Sequence, residues 1–198
     1  GAAGGDGQCL FNLSFAYSFG WGVDISKSKA LEYMELSEKT NYIAAIGQLG
    51  KYAELGTGQP VNFSKAVQYY QKAIKAGSKQ AFNYLGIMYE NGKGVPQNIN
   101  KAIDLYKEGL EKGDYLSAHS LGFIYMLGNS EIKINGPKAL YYFQKANDLS
   151  YNGKDMLATQ GIASIYLFGI GGIENGVITE PYGCTVIAVL HLIFSGVL

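Results

Sequence analysis

The chain has 198 residues, 47% of them hydrophobic and 16% charged; that composition excludes wholesale disorder and suffices for a sizeable core. Sixteen cations, all of them lysine, balance sixteen anions. Such a chain has neither a basic field nor an arginine fork for phosphates, which argues against nucleic-acid binding. Two cysteines, Cys9 and Cys184, cannot make a disulfide framework. A reducing compartment and a disulfide-free luminal domain both fit.

Residues 1–7 read as a flexible edge or an engineered scar. Beyond them the sequence repeats. Gly20, Gly56, Gly92 and Gly128 stand 36 residues apart, as do Leu13, Leu49, Leu85 and Leu121. Each of those leucines is followed by a small residue: Ser14, Gly50, Gly86 or Gly122. Ala30, Ala66 and Ala102 keep the same step, with Ala139 one residue late, and Ile162-Ala163 continues the leucine column after a longer step. Agreement among several columns sets the period.

Each period predicts two helices. The first places apolar and small residues at i, i+4, i+5 and i+8, as in Ala81, Leu85, Gly86 and Tyr89, on one face. A glycine turn ends it (Gly20-Trp21-Gly22, Gly56-Thr57-Gly58, Gly92-Lys93-Gly94), because glycine enters left-handed backbone without a steric penalty. The second helix starts behind Ser26, Asn62, Asn98 and Asn135, all competent N-caps, and stops at Asn41, Gly77 and Gly113. The small residue after each leucine lets the partner helix approach, with the alanine of that helix expected opposite it. One pair of helices cannot bury its own apolar face, so the units must stack. The expectation is an all-α fold, an α-solenoid of repeats of about 36 residues, with units 8–40, 41–76, 77–112, 113–151 and a partial 152–172.

The turn Gly92-Lys93-Gly94-Val95-Pro96-Gln97-Asn98, followed by Lys101-Ala102 and preceded by Leu85-Gly86-Ile87-Met88-Tyr89, resembles the Sel-one-like repeat, a relative of the tetratricopeptide repeat. The resemblance covers residues 8 to 172. It implies a right-handed superhelix that acts as a non-catalytic scaffold or adaptor between other proteins. Relatives include luminal adaptors of endoplasmic-reticulum ubiquitin-ligase complexes, bacterial secreted regulators and mitochondrial assembly factors. The lumen or a membrane-associated site is therefore the expected location, with mitochondrial or cytoplasmic sites as alternatives. An accessory subunit of a large complex is the alternative role. Cysteine-rich relatives linked to β-lactam binding carry a cysteine pair in each repeat, which this chain does not. Unit four departs from the pattern at Asn129-Ser130-Glu131-Ile132-Lys133, and unit five loses its second-helix signature after Gly172.

Chemistry-bearing constellations are missing from the sequence. His119, His191 and two distant cysteines offer no metal-ligand spacing, and Cys184 with His191 has no orienting acid. No cofactor, metal or small-molecule substrate is expected. The glycine turns lack the phosphate-loop signature and follow helices. Tyr69-Tyr70 and Tyr141-Tyr142-Phe143 fall at core positions of the second helix. Asn12-Leu13-Ser14 and Asn62-Phe63-Ser64 fit the glycosylation pattern, although Asn62 has a competing role as a cap. The first-helix face opposite the small residues is the expected groove for a protein segment, with Lys51, Asn83, Ile87, His119 and Phe123 as its contacts. Residues 173–198 form a linker and an apolar segment. Its last fourteen positions, from Thr185, would span about 21 Å as a helix against about 30 Å of bilayer core. The start of a membrane span and a buried capping helix both fit.

Overall fold

A computed structural model describes residues 6–172 of the chain, apart from 152 and 154. Residues 173–198, with Cys184, His191 and the apolar segment, lie outside the described residues. Among those described there are nine α-helices and no strand: α1 (Gly7–Phe19), α2 (Lys27–Lys39), α3 (Ile43–Leu55), α4 (Phe63–Lys75), α5 (Gln80–Asn91), α6 (Ile99–Glu111), α7 (Tyr115–Leu127), α8 (Gly136–Leu149) and α9 (Met156–Phe168). A single 3-10 turn follows at Ile170–Gly172. The chain divides into two compact units, residues 1–105 and 106–198, with the boundary inside α6.

Local chemistry places the helix ends where the sequence predicts them. Asn62, Asn98 and Asn135 accept hydrogen bonds from the backbone N–H of Lys65, Lys101 and Lys138, each at 2.9 Å. Ser26 makes the equivalent, longer bond to Lys29 at 3.4 Å. Asp6 opens α1 in the same way, so that helix begins inside the segment read as a flexible edge. The second helices stop at Asn41, Gly77 and Gly113, which all hold positive φ. In unit four the departing turn is closed differently. The Asn129 side chain accepts from the N–H groups of Glu131 and Ile132, both at 2.8 Å, standing in for the glycine pair.

In the first unit, α1 packs on α2, α2 on α3, α3 on α4 and α4 on α5. Ala30 and Met34 of α2 share a buried cluster with Ala45, Leu49 and Tyr52 of α3. Val67 and Tyr70 of α4 do the same with Leu85 and Met88 of α5. In the second unit, Leu140, Phe143 and Ala146 of α8 enclose Ala158, Ile162 and Ile165 of α9, with Ala118 and Met126 of α7. The same columns of the repeat therefore form both cores.

The small-residue column works differently from the sequence expectation. A Cβ placed on Gly50 would stand 2.6 Å from Cδ1 of Tyr70, and one on Gly122 would stand 2.6 Å from the Phe143 ring. The ring four residues after the second-helix alanine, not the alanine itself, fills the notch. Ser14 does meet the alanine, donating its hydroxyl to the Ala30 carbonyl at 2.5 Å. The second glycine of the turn also has a tertiary role. Gly94 lies against the backbone of Phe63 at the start of α4, where any Cβ would come within 2.5 Å of it. Gly58 meets Lys27 at the start of α2 and Gly171 meets Gly136 at the start of α8 in the same way.

Candidate protein-interaction faces

The five residues expected to line a groove fall into both units, and each unit is described by itself. In the first unit, Lys51 on α3 is half-buried and its ammonium lies 4.5 Å from the centroid of the Tyr84 ring on α5. Tyr84 in turn lies 5.4 Å from Tyr70, whose hydroxyl donates to Glu54 at 2.9 Å. Burial together with the Glu54 carboxylate holds the Tyr70 phenol far above its ordinary range, so it stays protonated. Lys93 completes the set at 3.4 Å from the other Glu54 oxygen. Lys51 is thus fixed against an aromatic face, with Ile87 half-buried on α5.

Asn83 requires a correction. It is only 3% exposed, a core amide rather than an open groove contact. As an internal first helix, α5 is enclosed more deeply than one helical face would indicate. Its neighbour Phe82 is buried as well.

In the second unit, His119 and Phe123 come together on α7. Their ring centroids lie 4.6 Å apart, and each packs edge-on against Phe143, at 5.9 and 5.2 Å. Phe143 itself is 0% exposed. Nε2 of His119 is buried without a hydrogen-bond partner. Burial lowers the pKa of this imidazole, and the carboxylate of Asp155 opposes that shift without cancelling it. Asp155 also caps α9 through the N–H groups of Leu157 and Ala158, and its own N–H donates to Asn147 at 2.8 Å. His119 and Phe123 thus form a half-buried wall over the fully buried Phe143 ring.

A pH dependence follows. Above the ordinary imidazole value of 6.5, folded and unfolded chains both carry neutral His119. As pH falls through that value the unfolded chain takes up the proton first, so stability drops until the folded pKa is passed. We expect the melting temperature to fall between pH 7.5 and 5.5, and a His119→Gln variant to lose that part of the fall. An unchanged slope in the variant would refute the buried neutral imidazole.

Exposed apolar residues recur at one repeat position within each unit, a feature the sequence columns above do not include. Phe19 and Leu55 in the first unit are 57% and 72% exposed; Leu127 and Phe168 in the second are 65% and 70% exposed. All four occupy one repeat position, directly before the glycine that ends a first helix. Beside them, across the turn, stand Ile25 and Val61 in the first unit and Ile134 in the second, again exposed. Period-36 columns would have shown large apolar residues recurring where a helix end should be polar. Among the described residues no group of three metal-ligating side chains converges, and no helix is long and apolar enough to cross a membrane.

Four successive stretches, residues 7–39, 43–78, 80–114 and 116–151, match the family pattern of the Sel1 repeat. The chain belongs to the Sel1 repeat family. Its fold is similar to a Sel1 repeat protein of Oxalobacter formigenes, with a TM-score of 0.77 and 28% identity over 88% of this chain and 68% of that one. The protective antigen c5321 of uropathogenic Escherichia coli shares the fold at a TM-score of 0.65 and 23% identity, covering 94% of this chain and 46% of that one. A Klebsiella pneumoniae Sel1 repeat protein does so at 0.62 and 21%, covering 96% and 88%. A different likeness is short. Over 30 residues, 15% of this Sel1 repeat chain, it is 93% identical to the divinyl chlorophyll a/b light-harvesting protein PcbC of Prochlorococcus marinus. The chain spans 8% of the length of that protein. The Sel1 repeat fold is all-α, of the α-solenoid class and of a non-catalytic scaffold type, and Sel1 repeat proteins generally mediate protein–protein interaction.

Proposed function

We propose that this Sel1 repeat protein is an adaptor that holds segments of partner proteins against the faces and ends of its first helices. The partners are proteins or peptides, neither nucleic acid nor a small-molecule substrate. Lys51 and Ile87 serve as contacts in the first unit, and His119 and Phe123 in the second. The observation that carries this reading is the exposed apolar row: Phe19 with Leu55, and Leu127 with Phe168. Large apolar side chains left in water at one repeat position are a feature of binding surfaces. The finer reading, an adaptor in endoplasmic-reticulum-associated degradation, is supported by the resemblance of the turns alone. A second reading, an accessory subunit of a large complex, is favoured by the 30-residue likeness to the light-harvesting protein PcbC.

The test is affinity capture of the full chain from its native host, compared with a Leu55→Glu, Leu127→Glu variant. Both side chains are mostly exposed, so the melting temperature should hold while specific partners are lost. Retention of the same proteins by the variant would contradict the role of these faces. Capture of pigment-bearing complexes by the wild type would favour the second reading.

A further inference from the structure

The apolar row of the first unit has a charged border. Leu55, at the end of α3, and Val61, across the turn from it, are both exposed. Complete repeats flank this turn on both sides, so its exposure is not a matter of where the chain begins. Phe19 and Ile25 repeat the arrangement one period earlier. The two turns are neighbours, because Gly58 of the second lies against Lys27 at the start of α2. One period later the row stops, since Asn91 and Gln97 hold the two positions.

Lysines border both apolar pairs and continue past them. Lys65 donates to Oε1 of Gln59 at 2.8 Å, within the turn that joins Leu55 to Val61. The Lys29 ammonium lies 5.1 Å from the centroid of the Tyr17 ring, two residues before Phe19. That of Lys101 lies 4.4 Å from Tyr89, two residues before Asn91. None of the three makes an ion pair among the described residues. The segments 19–29, 51–65 and 90–101 together hold six lysines and three carboxylates, in a chain of zero net charge. One of those carboxylates, Glu54, is already engaged by Tyr70 and Lys93. The first turns of α2, α4 and α6 contain no acidic residue. A cation there opposes the helix dipole, so helix formation does not call for these lysines.

We propose that this edge of the first unit binds an acidic amphipathic segment of a partner protein. Its Asp and Glu side chains meet Lys29, Lys65 and Lys101, and its large apolar side chains lie on the two exposed pairs. The inference rests on the adaptor reading above and adds the chemistry of the partner. Charge complementarity selects the occupant: unpaired cations around an apolar centre favour an acidic segment and repel a basic one. A protein segment is the occupant because Sel1 repeat proteins generally mediate protein–protein interaction.

The test is selection of a tryptophan-free random peptide library on the full chain, followed by titration of the enriched peptides. Trp21 is the only tryptophan of the chain and stacks on Phe19 at 5.2 Å, so it reports on the row. Enriched peptides should combine Asp or Glu with Leu, Ile or Phe and shift Trp21 emission to the blue. Their binding should weaken as salt rises. It should weaken about tenfold or more in a Lys29→Glu, Lys65→Glu variant and in a Leu55→Glu variant. Glutamate suits the first turn of a helix, so the charge-reversed chain should keep its melting temperature. Enriched peptides without acidic residues would overturn the inference. So would full binding to the charge-reversed variant with loss on Leu55→Glu, which leaves the adaptor reading intact. Binding untouched by either variant would contradict both. No enrichment, or Trp21 emission already blue and unmoved by peptide, would overturn the inference, because the edge is then closed or covered. Lysine-dependent sedimentation with vesicles of anionic phospholipid, in place of peptide binding, would overturn it in favour of a lipid surface.

Discussion

Gly122→Leu should unfold the second unit more readily than any surface change, costing about 3 kcal/mol or more. Leucine is a better helix former than glycine by nearly 1 kcal/mol, so propensity alone predicts the opposite sign. Packing decides the outcome. Even the first carbon of a side chain at 122 would stand 2.6 Å from Cδ1 and Cε1 of Phe143. That ring cannot retreat, because its other edge lies against Gly161, where a Cβ would come within 2.6 Å of Cε2 and Cζ. A lowered melting temperature by calorimetry is the expected readout. A melting temperature equal to the wild type would show that the ring has room, and the packing assignment would fail.

Phe143→Ala removes the ring that both glycines accommodate and should cost about 3–5 kcal/mol. The cost falls at the upper end because glycines line the cavity and have no side chains with which to fill it. His119 and Phe123 also lose their edge-on partner, so the wall of the proposed interaction face loosens with the core. Urea unfolding should show the midpoint falling with little change in slope. A loss under about 1.5 kcal/mol, the range of volume-conserving swaps, would mean that the site collapses and that Phe143 is not the keystone described.

How much of this was legible in the sequence follows from which forces act locally. The caps at Asn62, Asn98 and Asn135 and the stops at Asn41, Gly77 and Gly113 depend on residues within a few positions, and the structure places them as read. The repeat columns likewise needed no tertiary knowledge. Asn83 was misplaced because its burial depends on how neighbouring helices enclose α5, which helical periodicity does not encode. The notch at Gly50 was assigned to Ala66, when Tyr70 one turn later fills it; reach of a large side chain, not register, settles that contact. The second glycine of each turn looked like turn chemistry alone. Its contact with the start of the preceding second helix is a close approach between elements about thirty residues apart, and nothing short-range signals it. The apolar residues before Gly20, Gly56, Gly128 and Gly169 form an interrupted column, because Asn91 stands at that position before Gly92.

Two glycines of α3 put the central claim, that the small residue after the column leucine seats an aromatic ring of the second helix at Gly50 and Gly122, to the most direct test. Gly47 and Gly50 are one turn apart and both buried. A Cβ on Gly47 would meet nothing within 4 Å, whereas one on Gly50 runs into the Tyr70 ring. Thermal melts of Gly47→Ala and Gly50→Ala should therefore move in opposite directions. The first should gain about 0.5–1 kcal/mol from helix propensity, and the second should lose more than that gain through the clash. Equal stabilisation of both variants would contradict the account.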